Sequence, residues 1–442
     1  MIAKEKLNIL WSLEQTAEKY ADRVAVSDVN QELTWKELVK KAQVIGAELS
    51  EKVQPGNPVP VLLEKSSETL AVMLGIVYAG CFYVPVNPMN PTERLRKIMD
   101  PEVIISDEKG KEQLAAVGNG LENKVMGPEA LTTATGTELS EEQYSRLEQI
   151  QGQWKETDVL YGIFTSGSTG TPKAIVVSHG AASRFIRHFT EIFEITSADV
   201  IGNQAPFDFD VSVKDIYSSI MTGAQLVLIP KEYFSTPPRL LDYLCDKKVT
   251  NLTWAVSALT LVSALKGLNY RVPESVKRVM FSGEAMPPKQ LRIWQEKLPE
   301  AKFVNLYGPT EITCNCTYFP IERQYEDSEK IPAGKAFPGR RVILVDEEGK
   351  QVTEPGVQGE ICSAGESLAN GYYKEPEQTA EKFVLYPVDG TEQRMYRTGD
   401  LGSYDEEGNI VFAGRKDFQI KHMGHRIELG EIETAFQALD GV

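Results

Sequence analysis

The run Phe164, Thr165, Ser166, Gly167, Ser168, Thr169, Gly170, Thr171, Pro172, Lys173 constrains this chain more than any other stretch. An apolar segment leads into it from Val159, and the β-branched segment Ala174 to Val177 follows directly, so the loop joins strand to strand. Hydroxyl side chains and two glycines leave backbone N–H groups bare, and Lys173 adds a cation. Bare amides beside a cation form a concave anion site, for which a polyphosphate is the natural guest. A Walker A loop needs G-x-x-x-x-G-K-[ST] between a strand and a helix. Here Thr171 and Pro172 separate Gly170 from the lysine and no helix follows, which makes a P-loop NTPase improbable.

A chain of 442 residues is too long for one hydrophobic core, and roughly two to four subdomains are expected. Short apolar strands (Val59 to Leu63, Val103 to Ser106, Val159 to Phe164, Gln225 to Ile229, Val279 to Ser282, Phe303 to Leu306) alternate with amphipathic helices (Trp35 to Glu51, Ser67 to Ala79, Pro91 to Met99, Pro288 to Leu298). That alternation predicts an α/β fold. A first helix is expected over about Ala3 to Tyr20. Pro60 marks its strand as an edge or leaves its start uncertain, since proline cannot donate to a ladder. Gly127 to Glu156 is polar and weakly periodic, and reads as a surface connection. From Gly334 to Ala413 the pattern changes to strands punctuated by turns with one helix near Thr379, the mark of a smaller β-rich subdomain. A helix is expected again over Gly430 to Ala438.

The net charge of −16 repels nucleic-acid phosphates, and no basic block interrupts it, so no nucleic-acid partner is expected. No apolar run reaches membrane-span length and no signal peptide is visible, which points to the cytoplasm and to no membrane partner. The five cysteines are scattered; Cys314 and Cys316 lack a second pair or nearby His and read as reduced structural thiols. The four histidines do not cluster with a nucleophile, so a hydrolytic triad is unsupported.

Four other runs bear chemistry. In Asn305, Leu306, Tyr307, Gly308, Pro309, Thr310, Glu311 a ring for stacking, a hydroxyl and a carboxylate follow a strand, although a plain Gly-Pro turn reads the same way. Tyr396 to Asp400 ends in a carboxylate suited to ribose hydroxyls or to capping. Asp210 stands where a helix begins, as a cap or as the counter-ion of a substrate ammonium. Lys416 to Glu433 mixes charges around Gly424 and reads equally as a solvated turn.

Together with Leu33 to Leu38, Tyr78 to Val86 and Gly356 to Gly371, these runs stand in the order and spacing of the motifs of nonribosomal peptide synthetase adenylation domains, which the chain resembles over nearly its whole length. The resemblance implies the adenylate-forming enzyme fold: two stacked α/β subdomains over about 1–332, a β-rich, barrel-like subdomain over about 333–415, and only the start of a C-terminal subdomain at 416–442. It also implies a two-step ligase. ATP and an amino acid give aminoacyl-AMP and pyrophosphate, and the acyl group then passes to the phosphopantetheine thiol of a peptidyl carrier domain among other synthetase domains. On this resemblance Thr165, Ser166, Gly167, Ser168, Thr169, Gly170 and Lys173 embrace the β/γ-phosphates, Thr310 touches the α-phosphate, and Glu311 holds Mg²⁺. Tyr307 stacks on adenine with Asn305, Gly283 and Glu284 along its edge. Asp400 takes the ribose, helped by Arg415 and Lys421, and Asp417 is the hinge.

By the same resemblance Asp210 pairs with the α-ammonium of an amino acid. The side-chain pocket would be Val211, Lys214, Ser257, Met280, Ser282, Leu306, Cys314 and Asn315. Met280, Ser282 and Leu306 resemble pockets for Ser or Cys, and Lys214 either meets a substrate carboxylate or carbonyl or snorkels away. Small polar amino acids rank first, acidic ones second, apolar ones third. The adenylation lysine of the family lies near the end of a C-terminal subdomain that this chain does not reach, which implies that the chain as it stands binds ATP and amino acid but adenylates slowly or not at all. Two rivals remain: a D-alanine–carrier protein ligase, and a non-catalytic nucleotide-binding scaffold.

Overall fold

A computed structural model describes residues 7–87, 100–116, 120–129, 139–165 and 173–416, with the backbone of 419–422 and 425–428. Two large sheets dominate it. The first has seven strands in the order Gly371–Tyr372, Lys173–Ser178, Val159–Thr165, Phe82–Pro85, Pro58–Leu62, Ile104–Ser106, Val125–Met126. The second has nine, in the order Lys335–Ala336, Thr317–Ile321, Lys302–Tyr307, Arg278–Ser282, Asn251–Ala255, Val200–Asn203, Gln225–Leu228, Val24–Ser27, Glu32–Thr34. A third, antiparallel sheet of six strands is built from Arg340–Val345, Gly359–Gly365, Phe383–Val388, Thr391–Tyr404 and Ile410–Arg415 with the short Gln351–Val352. This is the α/β architecture with a β-rich annex expected above.

One apolar core unites the two large sheets. Ile9 and Leu13 of helix Ile9–Tyr20, Val72 and Ile76 of Ser67–Tyr78, Phe185 and Phe189 of His179–Ile192, and Ile216 and Ile220 of Val211–Thr222 pack in one cluster with Tyr161 and Ile175 of the first sheet and Met280 and Leu306 of the second. The Tyr83 and Tyr217 hydroxyls meet at 2.5 Å inside it, tying a strand of the first sheet to a helix on the second. Capping explains where helices start. Thr34 and Glu37 form a reciprocal capping box at the head of Trp35–Ser50.

Two expectations fail. Pro60 is not on an edge: its strand lies between Phe82–Pro85 and Ile104–Ser106. Pairing with the latter begins only at Val61 opposite Ile105, so the missing N–H falls before that ladder starts. Gly127 to Glu156 is not a bare connection either, since it contains the helix Glu141–Gly152, opened by a Ser140–Gln143 capping box and pinned by buried Leu147. Its polarity hid the signal, because only one residue of the helix is buried. Residues 91–99, 130–138 and 430–438 lie outside the described residues.

His179 is buried at the head of its helix, accepts the Ile9 N–H at Nδ1 (3.4 Å) and packs on Trp154. Burial pushes its pKa down from 6.5 to about 3. The folded state thus holds the neutral ring while the unfolded chain takes up a proton below about pH 6.5, so stability must fall as pH drops from there toward 3. His179→Gln is expected to flatten that acid limb in thermal melts measured across pH.

Candidate functional site

Four parallel strands of the second sheet, Val200–Asn203, Asn251–Ala255, Arg278–Ser282 and Lys302–Tyr307, lie side by side and end at one edge. Asp210, Ser257, Gly283, Glu284, Thr310 and Glu311 all lie in the segments that leave those carboxyl ends. In open α/β sheets that edge is where ligands sit. Met280 and Ser282 lie on one of these strands and Leu306 on its neighbour, all three buried.

The β-rich sheet supplies the next part. Asp400 and Arg415 are directly opposed on neighbouring strands, and the guanidinium is paired with the carboxylate. The other Asp400 oxygen accepts the Tyr307 hydroxyl at 2.5 Å. Burial, then the Asp400 charge, raises the phenol pKa and keeps it protonated, so it remains the donor. The ring of Tyr307 is half-buried with Phe412 beside it at 6.3 Å. Asn305 turns its amide to the Pro332 carbonyl at 2.8 Å, fastening the strand to the chain that enters the β-rich region.

Glu311 is fully buried and accepts the Tyr372 hydroxyl at 3.2 Å. The Lys173 ammonium stands over the ring of the same tyrosine, 5.1 Å from its centre. Tyr372 therefore links a lysine of the first sheet to a carboxylate of the second. It gets there because Gly371–Tyr372 adds as an edge strand to Lys173–Ser178 and the Ala369 N–H donates to the Glu311 carbonyl. Gly371 has φ +134°, and a Cβ there would collide with Thr379, whose hydroxyl accepts the Tyr372 N–H.

The turn after Glu311 is strained. Thr313 and Cys314 have φ of 59° and 67°, a region that a β-branched residue rarely enters. Arg340, buried against Phe185, donates to the carbonyls of Ile312 and Thr313 and holds the turn in place. Desolvation pushes its pKa down to about 10, so it stays charged near neutrality. Gly308 is needed where this turn doubles back, because a Cβ there would lie 2.5 Å from the Asn315 Cα.

The turn delivers Cys314 and Asn315 to the start of helix Val211–Thr222. The Cys314 thiol donates to the Asp210 carbonyl (3.2 Å), and the Lys214 ammonium donates to Asn315 Oδ1 (2.6 Å). Asp210 stands at the N-cap, and its side chain makes no capping bond to the helix. Lys214 is 1% exposed and does not snorkel. Val211 and Ser257 are half-buried.

The hairpin expectation holds at its base, where Thr165 and Lys173 are cross-strand partners in an antiparallel pair. Ser166, Gly167, Ser168, Thr169 and Gly170 lie outside the described residues, as do Asp417 and the side chain of Lys421. Two residues of the site went unread in the sequence. Arg340 looked like half of an ordinary basic pair with Arg341, and Tyr372 stood just past a glycine-bounded motif. Among the described residues no cluster of three His, Cys, Asp or Glu could hold a metal by itself, and no helix is long and apolar enough to cross a membrane.

Residues 13–373 match the AMP-binding enzyme family. The chain is 35% identical over 427 residues to tyrocidine synthase 3 of Brevibacillus parabrevis, covering 96% of itself but only 6% of that protein. It is 32% identical to zwittermicin A synthase ZmaJ of Bacillus cereus over 436 residues, 97% of this chain and 80% of the relative. The AMPPNP-bound form of the nonribosomal peptide synthetase FmoA3 superposes with a TM-score of 0.81 at 26% identity, over 93% of this chain and 43% of that one. With Tyr372 joining Lys173 to Glu311, with Asp400 of the β-rich sheet bonded to Tyr307, and with these matches over nearly its whole length, this chain belongs to the AMP-binding enzymes as an adenylation domain of the nonribosomal peptide synthetase kind.

Proposed function

We propose that this chain activates an amino acid as aminoacyl-AMP and hands it to the phosphopantetheine thiol of a carrier domain. The observation that carries this reading is the Lys173–Tyr372–Glu311 line at the base of the hydroxyl-rich hairpin, together with the Tyr307–Asp400 bond. In the first half-reaction a substrate carboxylate oxygen attacks the α-phosphorus of ATP. The bond to the bridging oxygen breaks, and pyrophosphate leaves with the electron pair. Two anions must be brought together, so the site has to screen charge and hold both reactants in line.

Each residue has a part that follows from its place. Lys173 and the loop from Thr165 through Gly170 neutralise the β- and γ-phosphates. Thr310 donates to the α-phosphate. Tyr307 offers a ring face to adenine, and Gly283, Glu284 and Asn305 line its edge. Asp400, held by Arg415, receives the ribose hydroxyls on lone pairs that Tyr307 leaves open, since a carboxylate accepts about four hydrogen bonds. Glu311 fits a magnesium site: a buried hard-oxygen donor whose remaining ligands come from phosphate and water. Magnesium there would screen the phosphates. Asp210 receives the α-ammonium. Lys421 and Asp417 are assigned to ribose contact and hinge on the family pattern.

The test is amino-acid-dependent exchange of labelled pyrophosphate into ATP, run across the proteinogenic set and D-alanine. Exchange driven by one amino acid or a narrow group is expected. A folded chain that binds ATP yet shows neither exchange nor amino-acid binding would overturn the proposal.

A further inference from the structure

The reading of Asp210 as the partner of the α-ammonium leaves a charge unaccounted for, and the substrate class follows from it. Asp210 and Lys214 are four residues apart at the head of one helix, so their side chains project from the same face. Lys214 is 1% exposed, its hydrogen-bond partner among the described residues is the neutral amide of Asn315, and no carboxylate lies within ion-pair distance of it there. Asp215, the next acid along, projects from another face of the helix and is held elsewhere. It accepts from Asn203 Nδ2 at 2.9 Å, and Asn203 Oδ1 in turn accepts from the Lys65 ammonium at 3.1 Å. Lys65 also donates to the carbonyls of residues 203–205, while buried Asp215 lies in the field of both Lys214 and Lys65 and forms no ion pair with either among the described residues.

In the free site Asp210 and Lys214 offset one another. Once the α-ammonium of a substrate engages Asp210, and its α-carboxylate turns to ATP, Lys214 is left as a buried cation facing the substrate side chain. An apolar or hydroxyl side chain leaves it uncompensated, which is the costly arrangement. We infer that the substrate is an amino acid with an acidic side chain, whose carboxylate is received by the Lys214 ammonium beside Asn315. This changes the sequence ranking, in which small polar amino acids stood first. It also disfavours D-alanine, whose methyl group offers the ammonium nothing.

The experiment compares aspartate, glutamate, asparagine, glutamine, serine, alanine and D-alanine, both by pyrophosphate exchange and by calorimetry on the full chain. Aspartate or glutamate is expected to exceed the best neutral amino acid by roughly a hundredfold in kcat/KM, carried mainly by KM. Lys214→Met is expected to lose about that factor for the acid, and with it the preference for the acid over the neutral analogue of the same length. Preference of the unaltered chain for a neutral amino acid overturns the inference and leaves amino-acid adenylation standing. Failure of every amino acid in both exchange and calorimetry overturns the adenylation reading beneath it. Because the unaltered chain already separates these outcomes, poor folding of the Met variant does not blunt the test.

Discussion

Asp210→Asn is expected to lower kcat/KM for the cognate amino acid by roughly two to three orders of magnitude, with ATP binding within about twofold of the original. The substitution keeps the shape and removes the charge. When substrate covers the site, Asp210 and the α-ammonium form a desolvated pair, and removing one partner of such a pair costs about 3–5 kcal/mol. The low end applies if water reaches the residue, which is half-buried without substrate. The helix itself should tolerate the change, because the Asp210 side chain makes no capping bond. Unchanged melting alongside a collapsed exchange rate is therefore the expected pattern, and equal loss of both would assign Asp210 a structural role instead. Calorimetry with amino acid and ATP analogue separately distinguishes them.

Glu311→Gln is expected to raise the magnesium concentration needed for half-maximal exchange and to lower the saturated rate by roughly a hundredfold. Gln fills the same buried volume and still accepts from the Tyr372 hydroxyl, so the lost quantity is the negative charge. The comparison variant is Tyr372→Phe. It deletes one donor to the Glu311 carboxylate, a hydrogen bond to a charged group worth about 1.5–3 kcal/mol, but keeps the Glu311 charge and the ring beneath the Lys173 ammonium. Because that bond is made alike in ground and transition states, the loss in rate should stay at about tenfold or less. Should the Phe variant match the Gln variant, the tyrosine rather than the carboxylate is the working group at this position. A magnesium titration of both variants decides the matter.

Much of the site was legible because its groups sit in sequence-local motifs at the ends of strands. The strands flanking the hairpin and those at 225–228 and 302–307 were readable from short apolar runs, and helices Trp35–Ser50 and Ser67–Tyr78 end within one residue of the expected bounds. Helix Glu141–Gly152 escaped because Leu147 is its only buried residue, although Ser140 and Gln143 spelled out its start. Pro60 misled because the rule about proline concerns hydrogen bonds, and the ladder it would have broken begins one residue later.

The remaining gaps come from long-range contacts that no local pattern encodes. Arg340 stabilises a strained turn 27 residues earlier in the chain, and Tyr372 reaches a carboxylate 61 residues away. Neither spacing marks a helix or a strand. Lys214 illustrates the same limit from the other side. Its position in the pocket was readable, but whether it snorkels or stays buried depends on Asn315, brought to it by the turn that Arg340 secures.

The account stands on one arrangement: nucleotide on Tyr307 and Asp400, amino acid on Asp210, and the reacting atoms between them. A crystal structure of the chain with AMP and the amino acid that best supports exchange tests it most directly. The predicted density shows adenine against the Tyr307 ring, ribose oxygens at Asp400, and the α-amino nitrogen within hydrogen-bond reach of Asp210. Density for both ligands away from the carboxyl ends of the strands 200–203, 251–255, 278–282 and 302–307 would contradict it.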